Sequence, residues 1–215
     1  MIRFISFEGG DGSGKSTQLR LLADYLSSRG RACLCTREPG GTNLGRMIRR
    51  VLLEVRDESI ASDTELFLYL ADRAQHIQEV IRPALAGGKI VLCDRFTDST
   101  LAYQGYGRGA DLRMLGEMNL MASGGMVPDL TFLLDCPVDL ALSRTARRIQ
   151  AERSTDSRED RFECEDVGFH ERVRRGFEEL ARAEPERIRV LDASRSVEEV
   201  QEQIRKIVEN EMTRR

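Results

Sequence analysis

No stretch of the 215-residue chain approaches the roughly eighteen apolar residues that a membrane span needs, so nothing is expected to cross a bilayer. Met1-Ile2-Arg3 leads straight into an apolar run. That leaves no room for a signal peptide and makes the cytoplasm the expected location. The five cysteines are an odd number without a disulfide framework. Cys33 and Cys35 lie two apart in a strand-like run and so share one face, and no second Cys or His pair accompanies them. A packed core is expected there rather than a metal. Histidine occurs only twice, as His76 and His170, too scattered for a ligand set, and both read as ordinary helix residues. The formal net charge of -3 lacks the strongly basic character of a nonspecific nucleic-acid binder. What remains, 40% hydrophobic and 32% charged residues, suits a soluble α/β enzyme domain with a large core and room for a small inserted lid.

Against these absences one motif stands out. Gly9-Gly10-Asp11-Gly12-Ser13-Gly14-Lys15-Ser16, followed by Thr17, fits G-x-x-x-x-G-K-[ST], the P-loop. It follows an apolar run, Ile2 to Phe7, and precedes a helical stripe of Leu19, Leu22, Ala23 and Leu26 that Gly30 ends. Strand, glycine loop and helix are the context the motif requires. Glycines let backbone N–H groups turn toward phosphate oxygens, and the helix N-terminus adds its dipole. Lys15 supplies a point charge to a nucleotide's outer phosphates, and Ser16 a hydroxyl to Mg²⁺.

Four more strands are expected, at 32–36, Ile90–Asp94, Leu130–Asp135 and Ile188–Asp192, each a short apolar run of the kind covered on both faces. Helical patterns separate them. Leu44, Met47, Ile48, Val51 and Leu52 form one stripe. Ser62-x-x-Glu65 reads as a capping box that opens a helix running to about Ala86, with Leu66, Leu70, Ala74, Ile77 and Ile81 inward and a kink or stop at Pro83. Asp111 opens another helix with Leu112, Leu115, Met118 and Met121 inward, and Ser196-x-x-Glu199 caps the last. This alternation predicts a five-stranded parallel sheet with helices on both faces. The ligand crevice then lies beyond the carboxyl ends of the strands, among Glu8–Gly14, Arg37–Gly41, Asp94–Ser99 and Asp135–Pro137.

Residues 144–166 are dense in arginine and poor in apolar side chains. Such a segment is either a solvated helical face or, beside a P-loop, a mobile lid whose arginines offset charge on a transferred phosphoryl group. Asp94 ends a buried strand where a carboxylate would help organise Mg²⁺, and Arg95, Arg37 and Arg49 add cations suited to a second anion. No Asn-Lys-x-Asp guanine-reading motif is present, which weighs against a GTPase. Tyr69 and Arg73 are four apart on one helix and so share a face, either as core or as a base platform with a hydrogen-bonding edge. Tyr103-Gln104 supplies a further aromatic and amide.

Taken with Phe7-Glu8-Gly9, the blocks Thr36-Arg37-Glu38-Pro39-Gly40-Gly41-Thr42, Asp94-Arg95-Phe96 and Ser99-Thr100-Leu101-Ala102-Tyr103-Gln104-Gly105 occur in an order and spacing that resemble bacterial thymidylate kinases over nearly the whole chain. The resemblance implies a P-loop nucleoside monophosphate kinase fold, transfer of phosphate from ATP to dTMP with Mg²⁺, and a homodimer. It places Tyr69, where phenylalanine is usual, against thymine, Arg73 at the base edge, and Ser99 and Gln104 near the base. Tyr103 falls under the deoxyribose, Arg95 and Arg49 on the acceptor phosphate, and Asp11 beside the sugar and phosphate. Glu38 and Pro39 fall within the dTMP site. Gly9 through Thr17 bind ATP, and Ser16 and Asp94 hold Mg²⁺, directly or through water. Some members of the family carry an arginine inside the P-loop; here Gly12 follows Asp11, so the catalytic cation is expected from the lid, with Arg148 and Arg153 as the candidates beside Lys15, Arg95 and Asp11. Two other readings stay open: a P-loop kinase with another small acceptor, and a nucleotide-binding switch without turnover.

Overall fold

The computed structural model describes residues 2–53, 59–152 and 165–213. Five strands, β1 Phe4–Glu8, β2 Cys33–Arg37, β3 Ile90–Asp94, β4 Leu130–Asp135 and β5 Ile188–Asp192, form one parallel sheet in the order β2-β3-β1-β4-β5. The helices are α1 Lys15–Ser28, α2 Asn43–Leu53, α3 Ser62–His76, α4 Arg82–Ala86, α5 Thr97–Thr100, α6 Leu112–Ser123, α7 Val138–Glu152, α8 Val167–Ala183 and α9 Val197–Thr213. The strand expectations hold to within a residue or two, because each central strand is an unbroken apolar run that only a position between two helical layers can bury. The central strands β1, β3 and β4 carry Ile5, Phe7, Leu92 and Phe132, which meet Leu19, Leu22 and Ile204 in the main core.

The edges differ from expectation. β2 and β5 flank the sheet, and both are only partly covered. Cys35 is exposed and Cys33 half-buried, so this pair lies on an edge strand rather than in a packed core. The helix from Ser62 does continue to Ala86, past Pro83. Ile77–Ile81 winds as a π-helical turn, and Pro83 sits in the first turn of α4, where its missing N–H costs nothing. A second π-helical stretch, Leu101–Gly107, follows α5.

Capping separates two similar sequence patterns. Ser196 and Glu199 bond reciprocally through backbone and side chain, a true capping box on α9. Ser62 does not cap α3: Ala61 is the N-cap and makes no side-chain bond, while Glu65 turns inward to buried polar partners. Ala74 in α3 is exposed, and Asp72, Arg73 and His76 are buried in its place. Leu44, Met47 and Val51 on α2 and Leu112 and Met121 on α6 are also exposed, against expectation. For α8 the sequence reading offers only His170 as a helix residue, although Phe169, Val173, Phe177 and Ala181 recur every four residues and pack on Ala102 and Tyr103. Asp166 caps it by accepting from Phe169 N–H at 2.7 Å.

Candidate active site

The carboxyl ends of β1 and β3 place the P-loop beside Asp94 and Arg95, since Phe7 and Asp94 are in register. The loop's shape demands glycine at two crowded points. Gly9 has φ +131°, and a Cβ there would lie 2.5 Å from Leu134 O. Gly12 has φ +78°, and a Cβ there would lie 2.1 Å from Ala141 O and 2.7 Å from Thr145 Oγ1 on α7. No side chain, and so no arginine, fits at position 12 without displacing that helix.

Lys15 is buried and donates to Gly9 O at 3.1 Å and Gly10 O at 2.8 Å. Burial, joined by the neighbouring Arg95, lowers its pKa to about 8. Ser16 Oγ donates to Asp94 Oδ2 at 2.5 Å, which puts two oxygen donors at the head of α1. Hard cations take such oxygen ligands, and Mg²⁺ completes its octahedron with water and substrate phosphates, so the pair fits that ion. Among the described residues no group of three His, Cys, Asp or Glu side chains could cage a metal without such help.

Beside the loop opens a broad cleft of about 1390 Å³ including its mouth, lined by Lys15, Ser16, Thr17, Arg20, Arg37, Arg49, Asp94, Arg95, Arg144 and Arg148. A narrower recess of about 590 Å³ continues from Gly12 and Thr17 to Arg144, Ala193, Arg195 and Val197. Sequence reasoning did not find that recess, which is assembled from the P-loop, β4, the loop after β5 and side chains of α1, α7 and α9. Arg148 lies on α7 and lines the cleft. Arg153 lies outside the described residues, as does most of the segment 144–166 beyond Glu152.

A third cavity, about 550 Å³, joins the broad cleft through Asp11, Glu38, Arg49, Leu53 and Arg95, which line both. Pro39, Tyr69, Arg73, Phe96, Ser99, Thr100, Tyr103 and Gln104 complete its walls. Every residue expected at the dTMP site thus lines one cavity. Arg95 is its pivot. Its backbone is left-handed, with φ 70°, which turns the side chain back over the P-loop. Nη2 donates to Asp11 Oδ1 at 2.7 Å and Tyr103 Oη at 3.0 Å, while Nη1 donates to Gly9 O and Ser99 Oγ, both at 3.1 Å. The guanidinium also lies 4.9 Å from the Tyr103 ring centroid. Burial works against the Asp11 charge, but Arg95 and Lys15 hold its carboxyl well below the usual range. Burial pushes the Tyr103 hydroxyl well above its ordinary value, so it stays protonated and donates to Asp11 Oδ2 at 3.2 Å.

Arg73 is almost wholly buried, and four of its five N–H groups are committed: Nε to Glu38 Oε2, Nη1 to Thr100 Oγ1 and Asn119 Oδ1, and Nη2 to Phe96 O. Its role as a bare cation is therefore excluded; it offers direction. Arg49 Nη1 donates to Pro39 O at 3.2 Å across the cleft mouth. His76 is no ordinary helix residue: it bridges Glu38 Oε1 at 2.9 Å and Thr36 Oγ1 at 2.6 Å, fixing the carboxylate that orients Arg73.

Glu8 supports the Arg95 turn from below. Oε1 accepts from Phe96 N–H at 2.7 Å and Oε2 from the Ser99 hydroxyl at 2.6 Å. Burial, reinforced by nearby Asp98, raises its pKa to about 7. Asp98 is itself held by Arg187 through two bonds of 2.7 and 2.8 Å. These partners lie roughly ninety residues apart, and only the Phe-Glu-Gly block hints at them.

The family model described as thymidylate kinase matches residues 7–204. A thymidylate kinase of Desulfovibrio desulfuricans is 54% identical over 99% of this chain and 97% of its own, and one of Geotalea uraniireducens is 49% identical over 92% of each. The crystal structure of thymidylate kinase from Ehrlichia chaffeensis superposes with a TM-score of 0.75 at 35% identity, covering 96% of this chain and 97% of that one.

The raised Glu8 pKa has a consequence for stability. The folded protein retains a proton that the unfolded chain releases near its ordinary value of 4.5. The stability Glu8 contributes is complete below that pH and declines as pH rises to about 7, by up to about 3 kcal/mol. In chemical denaturation of wild type and Glu8→Gln, the difference in stability between them should fall across this window and level off above it. A difference that stays flat from pH 4.5 to 8 would contradict the assignment.

Proposed function

The chain belongs to the thymidylate kinase family, and on that footing we propose how its cleft carries out the reaction. The enzyme phosphorylates dTMP to dTDP with ATP as donor. One observation carries the assignment of residues: the P-loop cleft and the Tyr69–Arg73–Gln104 cavity meet at Asp11 and Arg95. A phosphoryl group can therefore pass between two ligands without leaving the protein.

Backbone N–H groups from Gly9 to Thr17 cradle the ATP phosphates, and Lys15 neutralises the outer two. The recess beside Ala193, Arg195 and Val197 takes the nucleoside end. Ser16 and Asp94 would hold Mg²⁺, which would supply positive charge to offset that of the ATP phosphates. Tyr69 stacks on the pyrimidine, Arg73 and Gln104 address its edge, with Ser99, Glu38 and Pro39 completing the wall. Tyr103 is packed edge-on against Phe169 and Phe177, so it presents a fixed surface to the sugar. That surface excludes a 2′-hydroxyl.

Arg95 and Arg49 hold the acceptor phosphate in line. One of its oxygens attacks the γ-phosphorus as the bond to the β-phosphate oxygen breaks, and ADP leaves. The acceptor is already anionic at neutral pH, so no general base is needed, and rate comes from positioning and charge compensation. Asp11 keeps Arg95 aimed until phosphate arrives. The crowding at Gly12 supports a cation supplied from above by the segment 144–166 acting as a lid, with Arg148 and Arg153 as candidates. The same reading places the enzyme in the cytoplasm; among the described residues no helix is long and apolar enough to cross a membrane.

We also propose a homodimer. Leu44, Met47 and Val51 on α2, Phe67 on α3, and Met114 and Met121 on α6 are exposed apolar side chains on helices packed α2 to α3 and α3 to α6. A second copy of this chain is the occupant that family membership favours. Sedimentation should give a dimer for wild type and a monomer for Phe67→Glu/Met121→Glu; a dimer in both would place the interface elsewhere.

ADP release measured across dTMP, dUMP, UMP, CMP, AMP and GMP tests the activity, with dTMP expected to lead. Lys15→Met should abolish turnover while dTMP still binds, whereas Arg95→Ala should raise the KM for dTMP at least about tenfold. Unchanged dependence on dTMP in the Arg95 variant would refute its role.

A further inference from the structure

The base cavity owes its hydrogen-bonding polarity to a carboxylate that does not line it. Glu65 is 1% exposed and lies four residues before Tyr69 and eight before Arg73, so the three share one face of α3. Its Oε1 accepts from Gln104 Nε2 at 2.7 Å. Its Oε2 meets Arg108 Nη2 at 3.4 Å, and Arg108 also pairs with Glu165 at 2.6 Å. An ionised carboxylate only accepts hydrogen bonds. The nitrogen end of the Gln104 amide must therefore face Glu65, which turns the carbonyl oxygen away from it. Gln104 lines the cavity, and no described group donates to that oxygen.

Arg73, in the same lining, has the opposite character. With four N–H groups of Arg73 committed, one donor remains on Nη2. The cavity lining thus includes one uncommitted donor, on Arg73, and one uncommitted acceptor, on Gln104. A pyrimidine with a carbonyl at C4 and hydrogen on N3 complements that pair. Cytosine, with an amino group at C4 and a bare N3, sets donor against donor and acceptor against acceptor.

We propose that Glu65 is a specificity-determining positioning residue: by locking the Gln104 amide in one orientation, it makes the acceptor site select pyrimidines protonated at N3 and reject cytosine. The inference rests on reading this cavity as the base site of the acceptor. A neutral Gln at position 65 can donate as well as accept, so the Gln104 amide becomes free to turn over and offer its N–H to a bare N3.

The test is kcat/KM for dTMP, dCMP and N3-methyl-dTMP in wild type, Glu65→Gln and Gln104→Leu. Wild type should favour dTMP over both analogues by at least about a thousandfold, since a site built around a hydrogen bond strongly rejects a substrate that cannot make it. Glu65→Gln should narrow the dTMP-to-dCMP ratio at least about tenfold. Gln104→Leu should lose the dependence on the N3 hydrogen even with Glu65 present. An unchanged dTMP-to-dCMP ratio in Glu65→Gln would overturn the proposal and leave the kinase assignment standing. Should the Glu65 variant fail to fold, wild type decides: equal use of dTMP and its N3-methyl analogue overturns the proposal. Absence of any activity with dTMP would instead overturn the reading of the cavity itself.

Discussion

The ion pair between Arg95 and Asp11 is the contact on which the rest of the site depends. It joins the phosphate-binding loop to the acceptor cavity with a bond of 2.7 Å between groups that β1 and β3 bring into register. Both partners are partly shielded, so the attraction is stronger than at an open surface, yet enough water reaches them for an incoming phosphate to compete. Around the pair, Tyr103, Ser99 and the Gly9 carbonyl fix the remaining guanidinium N–H groups, and Glu8 fixes the turn that carries it. Arg95 is thereby ordered in advance, and in the proposed mechanism little of the acceptor's binding energy is spent on ordering it.

The same logic governs the P-loop. Gly12 backs directly onto the carbonyl of Ala141, so the loop closes against α7 and has no space for a cationic side chain of its own. In the proposed mechanism, charge compensation on the moving phosphoryl group is assigned to Lys15 and to Arg148 on α7, both of which line the cleft. Lys15 is stripped of water and weakly basic for a lysine before nucleotide arrives. Phosphates brought to it favour its charged form further.

The strands and the P-loop were legible in the sequence because their signals are local, and the residues that the family resemblance named for dTMP line one cavity. Buried parallel strands are unbroken apolar runs, and the glycine loop announces its own geometry. Contacts between distant residues were not legible. Ser62-x-x-Glu65 and Ser196-x-x-Glu199 share one pattern, but only the second caps a helix, because Gln104 and Arg108 claim Glu65 from some forty residues away. His76 looked like a helix filler and instead steadies Glu38. Cys35 looked buried because the order of strands, which puts β2 at an edge, cannot be read from the run itself. The four-residue spacing of Phe169, Val173 and Phe177 was available as a signal for α8 and was masked by the charged residues around it.

A crystal structure with dTMP and a non-hydrolysable ATP analogue tests the central claim most directly. The account predicts the dTMP phosphate on Arg95, facing the terminal phosphate held by Lys15, with the Arg95–Asp11 bond lengthened or exchanged for one to phosphate. A dTMP phosphate bound away from Arg95, with that ion pair undisturbed, would contradict it.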